Sequence, residues 1–145
     1  MARIKLLIPE RKIFSTEIAV RITDINYGNH VGNDAFVRIV HEARVQWLTA
    51  KNYTELNIEG ESLIMADLAV EYKGESFYGD VLNVEIAVGE ISSAGFELYY
   101  VINVNRNGKV ILIAKAKTGM VCYNYEEKKV RELPVKFVQF LSFIN

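Results

Sequence analysis

The hydrophobic residues of this chain follow two different periods, and the change between them separates a helix from strands. Apolar side chains recur at spacings of three and four in one segment and form a single stripe there: Phe36, Ile39, Val40, Ala43 and Trp47. Asn33 is a favourable N-cap just before this stripe. The spacing therefore predicts a helix over residues 33–51 that begins at Asn33.

Elsewhere the apolar residues alternate with polar ones, as in strands that bury one face. This pattern predicts a first strand over residues 13–23 and four strands within 62–122, with a hairpin at Asn107-Gly108. An antiparallel sheet with one apolar face needs a cover, and the helix has the long apolar stripe. We therefore expect an α+β fold in which the four later strands form a meander around the helix.

The strand pattern also predicts apolar side chains on the face of the sheet away from the helix. These are Tyr99, Val101, Ile111 and Ile113. A lone domain would expose them to water, and large exposed apolar patches are typical of interfaces. The pattern therefore favours at least a homodimer.

Length and composition restrict the class of protein. The 145 residues suit a single domain over 1–145, and the net charge of −1 gives no footprint for nucleic acid. Cys122 is the one cysteine, so no intrachain disulfide can form, which fits a cytoplasmic protein. No stretch is long enough to span a bilayer. The two histidines and one cysteine lack metal-ligand spacing, so we expect no metal and no cofactor.

Hydrogen-bonding side chains concentrate between the first strand and the helix. The same segment contains two glycines, which allow tight turns and a close approach of backbone amides to a ligand. The segment contains Asp24, Asn26, Tyr27, Gly28, Asn29, His30, Val31, Gly32 and Asn33. Loop asparagines often do no more than stabilise a turn, so a purely structural interpretation stands beside a functional one.

Two motifs resemble those of a known family. The loop reads Asp24, Asn26, His30, Val31 and Asn33, and the helix continues with Phe36 and Glu42-Ala43-Arg44. The second motif runs from Tyr72 to Gly79-Asp80 and Leu82. Together they resemble the hotdog-fold thioesterases of the hydroxybenzoyl-CoA thioesterase type. The resemblance implies hydrolysis of an acyl-CoA or acyl-carrier-protein thioester by a homodimer or homotetramer whose site lies between subunits.

The sequence departs from the family pattern at the position of the usual catalytic aspartate, which is Asn26 here. An amide cannot take a proton from water, so Asn26 can only orient the reactants. We predict Asn26, His30 and Glu42 as the catalytic set, with Glu42 as the leading base because partial burial beside the apolar stripe would strengthen it.

The resemblance also suggests which groups would contact the substrate. We assign substrate contacts to the rest of the loop, and the amides around Val31 to Asp34, at the start of the helix, are expected to serve as oxyanion donors. The substrate-contact residues are Asp24, Tyr27, Gly28, Val31, Gly32 and Asn33.

Two alternatives remain open beside the enzyme. The first is a non-catalytic hotdog module that binds an acyl thioester, which the replacement at Asn26 favours. The second is a hotdog dehydratase. Such enzymes place a histidine in a proline- and glycine-rich loop, whereas this chain has only two prolines, Pro9 and Pro134. The dehydratase is therefore the weaker alternative.

Overall fold

The computed structural model describes residues 2–142, and the elements follow one another in the predicted order. A 3-10 turn at Ile22–Asp24 lies between the first strand and the first helix. The elements are β1 (Phe14–Ala19), α1 (Ala35–Thr49), β2 (Ser62–Tyr72), β3 (Val81–Ile91), β4 (Gly95–Arg106), β5 (Lys109–Asn124), β6 (Lys129–Val130) and α2 (Val135–Ser142). Neither helix in residues 2–142 is long and apolar enough to cross a membrane.

The sheet is antiparallel throughout, with the strand order β1-β3-β4-β5-β2 and with β6 paired to the end of β5. The prediction of an antiparallel sheet of five or more strands is confirmed. The prediction of a simple four-strand meander is wrong, because β2 does not lie beside β3. Both edges of β3 are occupied, one by β1 and the other by β4, so β2 pairs with the remaining edge of β5.

Helix α1 packs its apolar stripe into the core as the spacing predicted. Each of the stripe residues is at most 3% exposed: Phe36, Ile39, Val40, Ala43 and Trp47. The helix is shorter at both ends than the predicted 33–51, and its N-cap is Asp34 rather than Asn33. Asp34 makes no side-chain capping bond, so the start of α1 is fixed by the preceding loop and by packing.

The first strand is also shorter than the predicted 13–23. It ends at Ala19 because the backbone turns at Ile22–Asp24, where the Asp24 carboxylate accepts a hydrogen bond from the Arg21 N–H. A side chain that binds nearby backbone in this way competes with strand pairing. Val20 is still buried, but Ile22, which a strand over 13–23 would place on the same face as Val20, is 68% exposed.

A bulge changes which side chains of β5 face the core. The register shifts after Ile102, so that Asn103 pairs with Leu112 and Val104 pairs with Ile111. Because a one-residue slip exchanges the two faces of a strand, Ile113 is fully buried in the core and Ile111 packs against it. The prediction that these two isoleucines lie on the outer face is therefore wrong, and the apolar patch inferred there loses half its members.

A polar network crosses the core beneath α1. Arg44 is only 5% exposed, and its Nε donates to Glu55 Oε2 at 2.9 Å while its Nη1 donates to the Tyr100 hydroxyl at 3.3 Å. Tyr100 in turn shares a hydrogen bond of 2.8 Å with Thr118. A buried guanidinium is tolerated when it is paired and hydrogen-bonded. The arginine of the Glu42-Ala43-Arg44 motif therefore joins the helix to the sheet.

Candidate active site

The polar loop between β1 and α1 is closed at its base by Asp24. This residue is 3% exposed, and its carboxylate Oδ2 accepts the Arg21 N–H at 2.9 Å. Its backbone carbonyl accepts the Gly32 N–H at 3.0 Å. Ile25 and Val31 form an isolated antiparallel bridge just above. Asp24, predicted to contact substrate, is thus engaged in holding the two ends of the loop together.

Asn26 and His30 lie on the same side of Gly28. The Asn26 Oδ1 accepts the Gly28 N–H at 2.8 Å, and the Asn26 N–H donates to the His30 carbonyl at 2.9 Å. A Cβ placed on Gly28 would lie 3.2 Å from Asn26 Oδ1 and 3.2 Å from His30 Nε2. The sequence prediction that these two side chains belong to one site is consistent with this arrangement.

The hydrogen bond of His30 determines which ring nitrogen is available. Its Nδ1 lies 3.2 Å from the Val31 carbonyl oxygen, which can only accept. In the tautomer that this contact favours, with the proton on Nδ1, Nε2 is a hydrogen-bond acceptor beside Gly28. His30 can thus accept a proton from a group bound next to Asn26.

Fewer backbone amides at the start of α1 are available to a ligand than predicted. The Val31 N–H donates to the Ser76 carbonyl at 2.8 Å, and the Gly32 N–H donates to Asp24, so both amides are engaged. Within residues 2–142, the amides of Asn33 and Asp34 have no protein acceptor. Both amides can therefore donate to a ligand at the positive end of the helix dipole.

Asn26 adds a side-chain donor to this set. A Cβ on Gly32 would lie 3.8 Å from Asn26 Nδ2 and only 2.7 Å from Asp34 Oδ1. The amide nitrogen of Asn26 is therefore close to the first residues of α1, and among the described residues it has no acceptor. A larger residue at Gly32 would displace the exposed carboxylate of Asp34. The arrangement suits a carbonyl oxygen that accumulates negative charge.

Glu42 lies apart from the loop within one chain. It is exposed, and its Oε2 accepts the Gln46 Nε2–H at 2.7 Å, while Gln46 also bonds to Thr16 of β1. Eight residues separate Glu42 from Asp34, which is about 12 Å along the helix axis. The expectation that Glu42 is partly buried is wrong for the single chain, because its position faces outward beside the strand edge.

Two other predicted contact residues lie at the surface of the loop. The Tyr27 side chain is fully exposed at the tip. Asn33 is exposed too, and its backbone carbonyl accepts a hydrogen bond of 2.9 Å from the Tyr72 hydroxyl on β2. Tyr72 also packs edge-on against Phe36, with ring centroids 5.6 Å apart. Strand β2 thereby forms a second wall beside the start of α1.

The connection between β2 and β3 supports the loop from below, and the sequence analysis did not assign it this role. Ser76, whose carbonyl holds Val31, donates its hydroxyl to Asp80 Oδ2 at 2.9 Å. The same oxygen accepts hydrogen bonds from the Phe77 N–H at 2.9 Å and from Arg106 Nη2 at 2.6 Å. The Gly79-Asp80 motif contains the signal for this role, because its aspartate is the acceptor of all three bonds.

The environment of Asp80 favours its charged form. Burial alone would raise the pKa of this carboxyl group, but the hydrogen bonds from Arg106, Phe77 and Ser76, with the charge of Arg106, outweigh it. The pKa of Asp80 therefore lies below its ordinary value.

Comparison with known proteins identifies the family. The family model of the Thioesterase-like superfamily matches residues 20–141, so the chain belongs to this family. A curated relative is the 1,4-dihydroxy-2-naphthoyl-CoA hydrolase of Synechocystis sp. (strain ATCC 27184 / PCC 6803 / Kazusa). It is 27% identical over 124 residues, which are 83% of this chain and 88% of the relative. The thioesterase interpretation of the two motifs is confirmed at the level of the family.

Solved structures show the same fold. The 1,4-dihydroxy-2-naphthoyl-CoA thioesterase from Synechocystis matches with a TM-score of 0.75 at 22% identity, covering 88% of this chain and 94% of that one. The 4-hydroxybenzoyl CoA thioesterase from Pseudomonas sp. strain CBS-3 matches with a TM-score of 0.78 at 14% identity, covering 89% and 99%. The predicted hotdog fold is therefore confirmed.

The role of Asp80 can be tested by replacing it with asparagine. Because the pKa of Asp80 is lowered on folding, its contribution is complete above the unfolded value of about 3.9 and is lost as the pH falls through the folded value. We expect Asp80→Asn to lower the free energy of unfolding by about 1–2 kcal/mol at pH 7 and by less at about pH 3. Urea denaturation at both pH values measures this difference.

The exposed glutamate of the turn between β5 and β6 provides the control, because Glu126→Gln removes a charge without touching this cluster. A loss of stability in Asp80→Asn that is equal at the two pH values would contradict the assigned role.

Proposed function

We propose that the protein hydrolyses an acyl-CoA thioester to the free acid and CoA. The observation that carries the proposal is the position of Asn26, which lies beside His30 Nε2 at Gly28 and beside the start of α1 at Gly32, where the Asn33 and Asp34 amides have no acceptor among the described residues. Family membership supports thioester hydrolysis, and the Synechocystis relative is named as a hydrolase of a CoA ester. An acyl-carrier-protein thioester carries the same reacting group and is the second candidate substrate.

The donors define where the reacting carbonyl would lie. The thioester oxygen would accept hydrogen bonds from the Asn33 and Asp34 amides, at the positive end of α1, and from Asn26 Nδ2. These donors are fixed before substrate binds, so they stabilise the developing oxyanion without reorganising. Asn26 orients the carbonyl and takes no proton, as its amide requires.

Water must also be activated by a base, and two groups are candidates. His30 Nε2 belongs to the same loop. Glu42 forms no ion pair within residues 2–142 and accepts a hydrogen bond from Gln46, so its carboxylate remains available. Since it lies about 12 Å along α1 from Asp34, it would meet a thioester only at the loop of a second copy. We assign the base to Glu42 in such a shared site.

The shared site requires a homo-oligomer, and the edge of the sheet offers a surface for one. Strand β2 pairs only with β5, and the part of its other edge before Val70, where residues 2–5 begin to face it, is open in the single chain. Met65 and Leu68 on this part of the strand are 43% and 37% exposed. An open edge with apolar side chains favours pairing with a second chain. This surface replaces the outer patch that the sequence pattern had suggested.

We expect a dimer or a tetramer in solution at micromolar concentration. Replacing Leu68 with lysine places a charge on the open edge and should shift the protein towards monomer. Light scattering measures the mass of both forms. A monomeric wild-type protein would contradict both the oligomer and the shared site.

Glu42→Gln should lower kcat for the best acyl-CoA about 100-fold or more, the size expected for loss of a positioned base. Hydrolysis is measured by the thiol released from a panel of acyl-CoAs, and Glu126→Gln serves as the control at an exposed glutamate outside the site. Asn26→Ala should cost less, because it removes one orienting donor. Asn26→Asp restores the carboxylate of the family pattern and should retain or raise activity.

These measurements distinguish the two candidate bases, and they distinguish an enzyme from a binding module. If Glu42→Gln keeps wild-type activity and His30→Gln loses it, the base is His30 of the loop and not Glu42. A wild-type protein that binds acyl-CoA without releasing thiol would support the alternative of a binding module, which the replacement of the usual aspartate by Asn26 favours.

A further inference from the structure

The residues before β1 form one wall of a cavity that lies at the edge of β2. Residues 2–5 face residues 70–73 across a space of about 720 Å³. The segment is fixed in place by the Leu6 N–H, which donates to Glu71 Oε1 at 3.0 Å. A volume of several hundred cubic ångströms is typical of small-molecule sites. These first residues lie outside the part of the chain that the family model matches, which begins at residue 20.

The cavity is lined by more positive than negative charge. Arg3, Lys5 and Lys73 contribute three cations, and Glu71 contributes one carboxylate. Glu71 is engaged by Lys73, whose Nζ lies 2.8 Å from its Oε2. Within residues 2–142, Arg3 and Lys5 have no carboxylate partner. Two unpaired cations on one wall of a cavity favour an anionic ligand, and phosphate is an anion that both arginine and lysine bind well.

Tyr72 connects this cavity to the candidate active site. Its side chain lines the cavity, and its hydroxyl donates to the Asn33 carbonyl at the start of α1. A ligand whose thioester lies against the Asn33 amide can therefore extend along Tyr72 and reach the cations at the other end. The same molecule would place an uncharged acyl thioester in the loop and an anionic group between Arg3, Lys5 and Lys73.

We propose that this cavity binds the phosphorylated nucleotide end of CoA, and that Arg3, Lys5 and Lys73 supply its positive charge. The inference rests on the proposed thioesterase function and deepens it, because it selects CoA over an acyl carrier protein as the carrier of the acyl group. A nucleotide fits a cavity of this volume, whereas a folded carrier protein would contact an open surface. The first residues of the chain thus act as a specificity element for the carrier.

The test uses the full chain and the double variant Arg3→Gln with Lys5→Gln. A matched control, Lys109→Gln with Lys136→Gln, removes two exposed lysines from the start of β5 and from α2. We expect the first variant to raise KM for acyl-CoA about tenfold with little change in kcat, since it removes two contacts with phosphate. KM for the same acyl group on pantetheine, which lacks the nucleotide, should not change in either variant.

Binding of adenosine 3′,5′-bisphosphate, measured by calorimetry, separates this inference from the proposed function. Wild-type protein and the Lys109/Lys136 control should bind it, and the Arg3/Lys5 variant should bind it about tenfold more weakly. Bisphosphate binding without any thioester hydrolysis would support the cavity and contradict the enzyme. Hydrolysis with an equal KM for acyl-CoA in all three proteins, or no binding of the bisphosphate to wild type, would overturn the cavity assignment and leave the enzyme intact.

Discussion

The structure depends on one requirement, which is that the apolar face of the antiparallel sheet must be covered. Helix α1 meets it with a stripe whose members are almost completely buried, while α2 closes the remaining end through the stacking of Phe140 on Trp47. Burial of large apolar side chains is the main favourable contribution to folding. Because β1 lies at a sheet edge and α1 lies across the sheet, the chain between them must turn at the start of the helix.

That turn is where the polar residues gather, and its shape follows from a few buried contacts. Asp24 closes the base of the loop, and Ser76 holds Val31 from the neighbouring connection. With those groups engaged, the donors left at the helix start include the Asn33 and Asp34 amides and the Asn26 side chain. The geometry of the loop is therefore set by the buried contacts of Asp24 and Ser76, as supporting residues commonly position the groups of a site.

Much of the fold could be predicted from the sequence because its signals are local. The stripe from Phe36 to Trp47 predicted α1, and alternation predicted the strands. The position of β2 could not be predicted this way, since strand order depends on which edges other strands occupy. The bulge near Leu112 likewise leaves no local signal, and it reversed the expected faces of Ile111 and Ile113.

The structure brings predicted site residues together where they belong to one motif, and it separates them where tertiary placement decides. Asn26 and His30 flank Gly28 because all three belong to one short loop. The spacing along the helix places Glu42 beside the apolar stripe. A helix position alone does not show whether a side chain faces a neighbouring strand, solvent or a second chain. The contribution of Asp80 depends on Arg106, which is 26 residues further along the chain, so periodicity could not reveal it.

In the proposed function, Asn26 stands at the position of the aspartate in the family pattern and changes which residue can act as the base. An asparagine in this position can donate to an oxyanion through Nδ2 while its Oδ1 holds the Gly28 amide. Another residue must then take the proton from water, so the orienting group and the base are different residues. A site formed by the loop of one chain and the helix of another would supply both the orienting group and the base.

The central claim is that a thioester binds at the loop and the start of α1. The most direct measurement is a titration of the ¹⁵N-labelled protein with a thioether analogue of acyl-CoA, which cannot be hydrolysed, followed through the backbone amide resonances. We expect the largest shifts at Gly28, Asn33 and Asp34. Shifts confined to the outer face of the sheet, around Tyr99, Val101 and Lys115, would contradict it.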